Sequence, residues 1–225
     1  MFAVGHMSLA YLLGKASSKF LKVNPNIPVM IVLSILPDVD IVIETFTGLT
    51  LHRGPTHSLI FSLIVFAPFF IFYGKRAVPY FLAYFSHFLI GDFLIGGQLE
   101  LLWPLSSATF GLHEAGFMFI DIYSIINIAL ELTLFTAAIV VMAKTRDYRV
   151  FFRPNKTNLV LIIPIATVLL PAFVGYPFNE PLFLSLPLMG LAHLFFLVIF
   201  GLSVLITLYY GVKHFVACHF NVRHR

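Results

Sequence analysis

The 225-residue chain is 60% hydrophobic and only 11% charged, with a mean hydropathy of +0.96, a balance that excludes a water-soluble domain because no such domain buries this much apolar surface. Twenty-six Phe and nine Tyr suit lipid contact and interfacial anchoring, while the single Cys, Cys218, excludes an internal disulfide framework and with it most redox chemistry. The formal charge of +4 is spread in short basic groups between apolar runs, which argues for membrane topology and against nucleic-acid binding.

Residues 1–14 are mostly apolar but lack a basic leader and a small-residue cleavage site, so they are read as a retained, short N-terminal helix, placed at the interface, re-entrant or penetrating. Six longer apolar runs follow, at residues 27–46, 58–73, 78–95, 117–143, 159–174 and 182–210, each near the roughly 20 residues that cross about 30 Å of hydrocarbon. Pro68, Pro164 and Pro187 interrupt three of them, which helix bundles tolerate when neighbours satisfy the freed carbonyls. The predicted fold is all-α: a polytopic transmembrane bundle of about six spans plus the short N-terminal helix, one integral membrane domain over residues 1–225.

With six spans the loops alternate, and thirteen of the fourteen Lys and Arg fall on the side of the tails, leaving Arg53 alone opposite. The positive-inside rule makes that majority side cytoplasmic. Glu100, Glu114 and Glu180 fall in the opposite loops. The expected location is therefore the cell membrane, with both termini cytoplasmic and bilayer lipid as the surrounding partner.

An ionisable side chain in hydrocarbon costs about 2.5–3.5 kcal/mol on insertion scales, so a cluster of them calls for a polar cavity, mutual pairing or a metal. Such a cluster stands in Leu36-Pro37-Asp38-Val39-Asp40, in His52-Arg53-Gly54-Pro55-Thr56-His57-Ser58 and in Ser86-His87 with Gly91-Asp92, all toward the outer side; His6 joins it if the N-terminal helix penetrates from that side. Imidazole and carboxylate together suit zinc, and also manganese or iron. Pro37 removes a backbone donor, so local unwinding aims Asp38 and Asp40 to one side. Gly54-Pro55 bends the loop to bring His52 and His57 together, with Thr56 placed to cap the next helix. Asp121, Ser124, Asn127 and Glu131 share one face of the fourth run and are expected to line the same cavity or to fix packing between helices. His193 reads as structural, and His214, His219 and His224 as part of a basic tail.

These motifs, with Gly5-His6 and Leu102-Trp103-Pro104, resemble the YdjM-like family over residues 1–105, residues 106–225 matching in hydropathy only. That family is described as inner-membrane-associated, metal-dependent hydrolases and carries a LexA-binding label, so a regulator protein is a partner implied by label alone. It is distantly similar to zinc phospholipase C and nuclease P1, which implies phosphoester hydrolysis. The resemblance makes His6, Asp38, Asp40, His57, His87 and Asp92 metal ligands for one or two divalent ions, zinc first. His52 and Arg53 assist catalysis, Arg53 by holding an anionic phosphate. His87 and Asp92 depart from the family's four-residue spacing: five residues apart, they diverge by about 140° on an ideal α-helix, and a π-bulge at Gly91 realigns them. The expected substrate is a phosphoester, lipid-borne or small and soluble. The competing expectation is a transporter using Asp38, Asp40, His87, Asp92, Asp121 and Glu131 as an ion or proton relay.

Overall fold

The computed structural model describes residues 1–49, 52–112, 120–177 and 179–222, with side chains to residue 216. Among the described residues the chain is helical and contains no strand; the isolated bridges Ile95 to Ile120 and Leu99 to Phe110 tie loops together.

The first helix, α1 (Ala3–Leu21), is the axis of the bundle. Its residues from Val4 to Tyr11 are all buried, as expected of a helix surrounded by others. It packs between α5 (Val78–Ser86) and α6 (Ile125–Thr145). Phe2 and the first turn of α1 have no side-chain cap of their own. Glu131 of α6 replaces it: Phe2 N donates to Oε1 at 2.7 Å and Gly5 N to Oε2 at 3.1 Å. The carboxylate thus satisfies donors that every helix start leaves open and sits at the positive end of the helix dipole. Gly5 makes the approach possible, since a Cβ there would lie 2.7 Å from Glu131 Oε2.

The run at 27–46 is not one helix. Asn26 caps α2 (Ile27–Leu33), its Oδ1 accepting from Val29 N at 3.3 Å, and the chain then passes through short turns before α3 (Val39–Thr47). Pro37 offers no amide hydrogen, and residues 35 and 38–41 each donate to the carbonyl three residues back rather than four. Farther on, α4 (Leu59–Tyr73) turns back on α5 through Gly74–Ala77, with Gly74 at φ +53°, and Phe66 and Phe70 of α4 each meet the Phe81 ring at 5.3 Å. The helix cap here is Ser58, whose Oγ accepts from Phe61 N, and not Thr56. α5 runs on without a break as a π-helix, His87–Asp92.

α6 starts at Ile125, later than the run at 117–143, whose residues 117–119 lie outside the described residues, as do Glu114 and His224 and the side chain of His219. Asp121 precedes the helix and is exposed, its Oδ1 accepting from Tyr123 N, and Ser124 is the cap. The four polar residues therefore do not share one helical face. Asn127 donates to Ile122 O at 2.6 Å, and of the four only Glu131 reaches α1. After a 3-10 segment at Lys156–Leu161, α7 (Ile162–Pro164) continues through a π-helical stretch into α8 (Leu170–Val174); α9 (Leu182–Ser185) is short, and Pro187 opens α10 (Pro187–Val222).

Four helical stretches are long and apolar enough to cross a membrane: Leu59–Asp92, Ile125–Thr145, Lys156–Val174 and Pro187–Val216. The first includes the α4–α5 turn. The predicted runs 58–73 and 78–95 lie on either side of that turn, and the run 27–46 is divided at the Pro37 break.

α1 lies antiparallel to α5, with His6 against Gly91 and Gly14 near Pro79 O, and parallel to α6, with Tyr11 donating to Asp147 at 2.8 Å. Lys15 Nζ also reaches Asp147 Oδ2, at 2.6 Å. Lys15, Lys19 and Lys22 thus gather with Lys75, Arg76 and Lys144 at one end of the bundle, whereas Met1 lies at the other. Of the placements expected for the N-terminal helix, the structure has it inside the bundle, with the Met1 amine 3.6 Å from Asp92 Oδ1 beside the polar cluster.

Glu131→Ala is expected to lower the thermal unfolding midpoint in detergent, because two buried N–H groups lose their acceptor at about 1–3 kcal/mol each. Glu131→Gln, which keeps one acceptor oxygen, should lose less; equal midpoints for all three proteins would show that the cap contributes nothing.

Candidate metal centre

The turn at residues 34–38 does two things at once. It aims Asp38 inward, and because Asp38 N bonds to Ile35 O, the carbonyl of Ser34 is left free to accept from His87 Nδ1 at 2.6 Å. A carbonyl only accepts, so His87 Nδ1 carries a proton, and Nε2 is the nitrogen this ring can offer to a metal ion. Nε2 faces Asp38 Oδ1 at 3.2 Å and Asp92 Oδ2 at 3.3 Å. The π-helix supplies the last of these contacts, since widening the turn stacks residues five apart, as the spacing of His87 and Asp92 requires.

His57 ends the 3-10 turn Pro55–His57. Its Nδ1 lies 3.0 Å from Thr56 Oγ1 and 3.4 Å from Asp40 Oδ2, while Nε2 faces Asp92 Oδ2 at 3.3 Å and Asp38 Oδ1 at 3.9 Å. Tyr84 steadies this loop by donating to Thr56 O at 2.6 Å. Asp40 lies behind His57: its Oδ2 accepts from the Thr56 hydroxyl at 2.5 Å, and its Oδ1 pairs with His52 Nδ1 at 3.0 Å. Burial opposes ionisation of Asp40, but the hydrogen bonds from His52, His57 and Thr56 outweigh it and hold the carboxyl well below the usual carboxylate range.

One imidazole nitrogen from each of His57 and His87 and one oxygen from each of Asp38 and Asp92 therefore face a common point, four of their separations lying between 3.2 and 3.9 Å. A tetrahedral ion with bonds of about 2.0–2.1 Å sets its ligand atoms about 3.4 Å apart. His57 Nε2, His87 Nε2 and Asp92 Oδ2 are buried and make no hydrogen bond, an arrangement that is expensive unless a cation satisfies it. Asp38, His57 and His87 form one potential ion-holding group; Asp40, His52 and His57, and His6, His87 and Asp92, form others that share its members.

His6 closes the back of the site. Its ring stacks on His87 with centroids 3.8 Å apart, and its Nε2 lies 3.5 Å from Asp92 Oδ1. Gly91 is the seat of this ring, because a Cβ there would fall 2.4 Å from His6 Cε1. Arg53, at φ +65°, donates from Nη1 to Gly97 O at 3.0 Å, tying the His52–Ser58 loop to the turn after the π-helix, while its Nε has no partner. The open side of the cluster is at His52 and Asp38, whose side chains are 28% and 16% exposed; the other members are at most 8% exposed.

The structure thus gathers His6, Asp38, Asp40, His52, Thr56, His57, His87 and Asp92, places Arg53 at the rim and leaves Asp121 outside. Asn127 bonds within its own segment, to Ile122 O, and Glu131 reaches the first turn of α1. A family model matches residues 1–181, and its description is YdjM inner membrane protein. The chain belongs to the YdjM inner membrane protein family. No curated protein and no solved structure matches it. The YdjM match runs beyond residue 105 to residue 181, and so takes in α6 to α8 as well as the histidine and aspartate motifs, but not α9 and α10. Two contributors had no motif to reveal them: the Ser34 carbonyl, a backbone group, and Tyr84, which an apolar run conceals. His193 is structural as expected, donating from Nδ1 to Met189 O at 2.8 Å.

Gly91→Ala is expected to destabilise the protein by about 1–3 kcal/mol through overpacking against His6. Gly201→Ala, with nothing within 4 Å of its added Cβ, should be neutral or stabilising by up to about 1 kcal/mol. Thermal unfolding of the two variants side by side checks this, and matching midpoints would unseat His6 from its place.

Proposed function

We propose that this YdjM-family protein is a membrane-embedded, metal-dependent hydrolase of a phosphoester in a lipid or lipid-linked substrate. The observation that carries the reading is the placement of buried, unbonded His57 Nε2 and His87 Nε2 between Asp38 Oδ1 and Asp92 Oδ2. Two neutral imidazoles and two carboxylates balance one divalent ion in charge, and zinc is the first choice for that donor set, with manganese or iron next. A bound ion of this kind supplies Lewis acidity toward a phosphoryl oxygen and lowers the pKa of water.

The protein's residues have separate tasks. Asp38, His57, His87 and Asp92 hold the ion. Asp40 orients His57 from behind, the carboxylate–histidine arrangement common at metal centres, and His6 does the same for Asp92 through its second oxygen. His52, paired with Asp40 and partly exposed on the open side, is placed to carry a proton to or from the substrate. Arg53 retains Nε for an anionic oxygen while Nη1 holds the loop. The lipid character of the substrate is supported by the apolar helices that surround the cluster and by the exposed side chains of Leu36, Phe46 and Leu49 beside its open side.

Elemental analysis of detergent-purified protein tests the reading. Stoichiometric metal is expected in the wild type and is lost in His57→Ala and Asp38→Asn, while Asp40→Asn should bind about 10- to 100-fold more weakly. His52→Ala should retain metal and lose about 10²- to 10⁴-fold in hydrolysis of a phosphatidic acid or an aryl phosphate. Absence of metal after reconstitution with zinc and manganese would sink the proposal, and substrate movement that needs sealed vesicles would replace it with transport.

A further inference from the structure

A groove of about 960 Å³ lies between α2, α4 and α5, running from the basic end toward the residues that border the metal centre. Its mouth carries three cations from two separate elements: Lys22 at the C-cap of α1, and Lys75 and Arg76 in the turn between α4 and α5. No carboxylate lines it. Inward from the mouth the walls are apolar, formed by Val29 and Leu33 of α2 and Val65 and Phe69 of α4, and the groove ends at Leu36 and Tyr84. Along α4 from Tyr73 to Val65 these walls extend about 12 Å, at 1.5 Å per residue.

We propose that this groove binds an anionic phospholipid of the leaflet at the basic end, its headgroup phosphate held by Lys22, Lys75 and Arg76 and one acyl chain lying against Val65 and Phe69. Cations at one end of an apolar trough match an amphiphile with a negative head. A zwitterionic head brings its own cation to a mouth that has three and no carboxylate, so it is disfavoured. Free phosphate makes no use of the apolar walls. The headgroup phosphate is held apart from the metal centre, since along α5 the distance from Ala77 at the mouth to His87 is about 15 Å. It packs instead under the Tyr84 side chain that holds the Thr56 carbonyl.

The test uses the full chain in detergent, incubated with dioleoyl phosphatidylglycerol or dioleoyl phosphatidylcholine, with retained lipid read by native mass spectrometry. The wild type is expected to retain phosphatidylglycerol in preference to phosphatidylcholine. Replacing Lys22, Lys75 and Arg76 by Ala, singly and together, should weaken retention roughly fivefold per charge removed. Val65→Trp, which fills the apolar part without touching the charges, should reduce retention as well, and His57→Ala should leave it unchanged. Thermal unfolding confirms that each variant is folded. Equal retention of the two lipids by the wild type, phosphatidylglycerol retention indifferent to both the charge and the Val65→Trp substitutions, or a dimer that Val65→Trp dissociates would overturn the proposal.

Discussion

An ionised carboxylate taken out of water costs several kcal/mol unless a cation or hydrogen-bond donors stand beside it. Asp38, Asp40 and Asp92 present three in one small volume of an apolar bundle, and the local structure answers to that constraint. Asp40 is satisfied by protein donors alone, from His52, Thr56 and His57. Asp38 and Asp92 are not: their inward oxygens meet imidazole nitrogens that themselves lack hydrogen bonds. The division separates a carboxylate held by protein donors from two whose inward oxygens face unbonded imidazole nitrogens.

Two irregular backbone segments make this geometry possible. The proline-broken turn between α2 and α3 releases the Ser34 carbonyl that sets the His87 tautomer, and the π-helix at His87–Asp92 brings a five-residue pair onto one side. Each departs from the regular helix favoured inside a membrane, where unpaired backbone groups are costly. Both lie against other helices, which supply the missing partners. These two irregular segments lie at the cluster, where sequences that otherwise agree with their fold make exceptions for chemistry.

α1 joins the two ends of the molecule. At its start, Gly5 and His6 meet Glu131 and Gly91, so that a cap on α6 and a bare glycine on the π-helix fix the ring behind Asp92. At its finish, Lys15 pairs with Asp147 and Lys22 reaches the mouth of the groove between α2, α4 and α5. The buried middle of the helix links a polar cluster at one end of the bundle with a basic rim at the other.

Much of this was legible in residue types and spacing. Apolar run length required a helical membrane protein, the Pro-Asp-x-Asp and His-Arg-Gly-Pro-Thr-His-Ser segments marked the cluster, and the five-residue step from His87 to Asp92 called for a π-turn, because only a wider turn stacks such a pair. Sequence also separated the basic end from the histidine end, since charge is read loop by loop. It did not reveal how deeply α1 enters, as fourteen apolar residues fall short of a full span; packing of Gly5 on Glu131 and of His6 on Gly91 decided it. Nor did periodicity separate Asp121 from Glu131, because the start of α6 depends on the Ser124 cap and on loop contacts. Likewise the roles of Asp38 and Asp40 diverge only in three dimensions. Two carboxylates two residues apart are chemically alike, and it is the donors brought to one of them by a loop sixteen residues away that distinguish them.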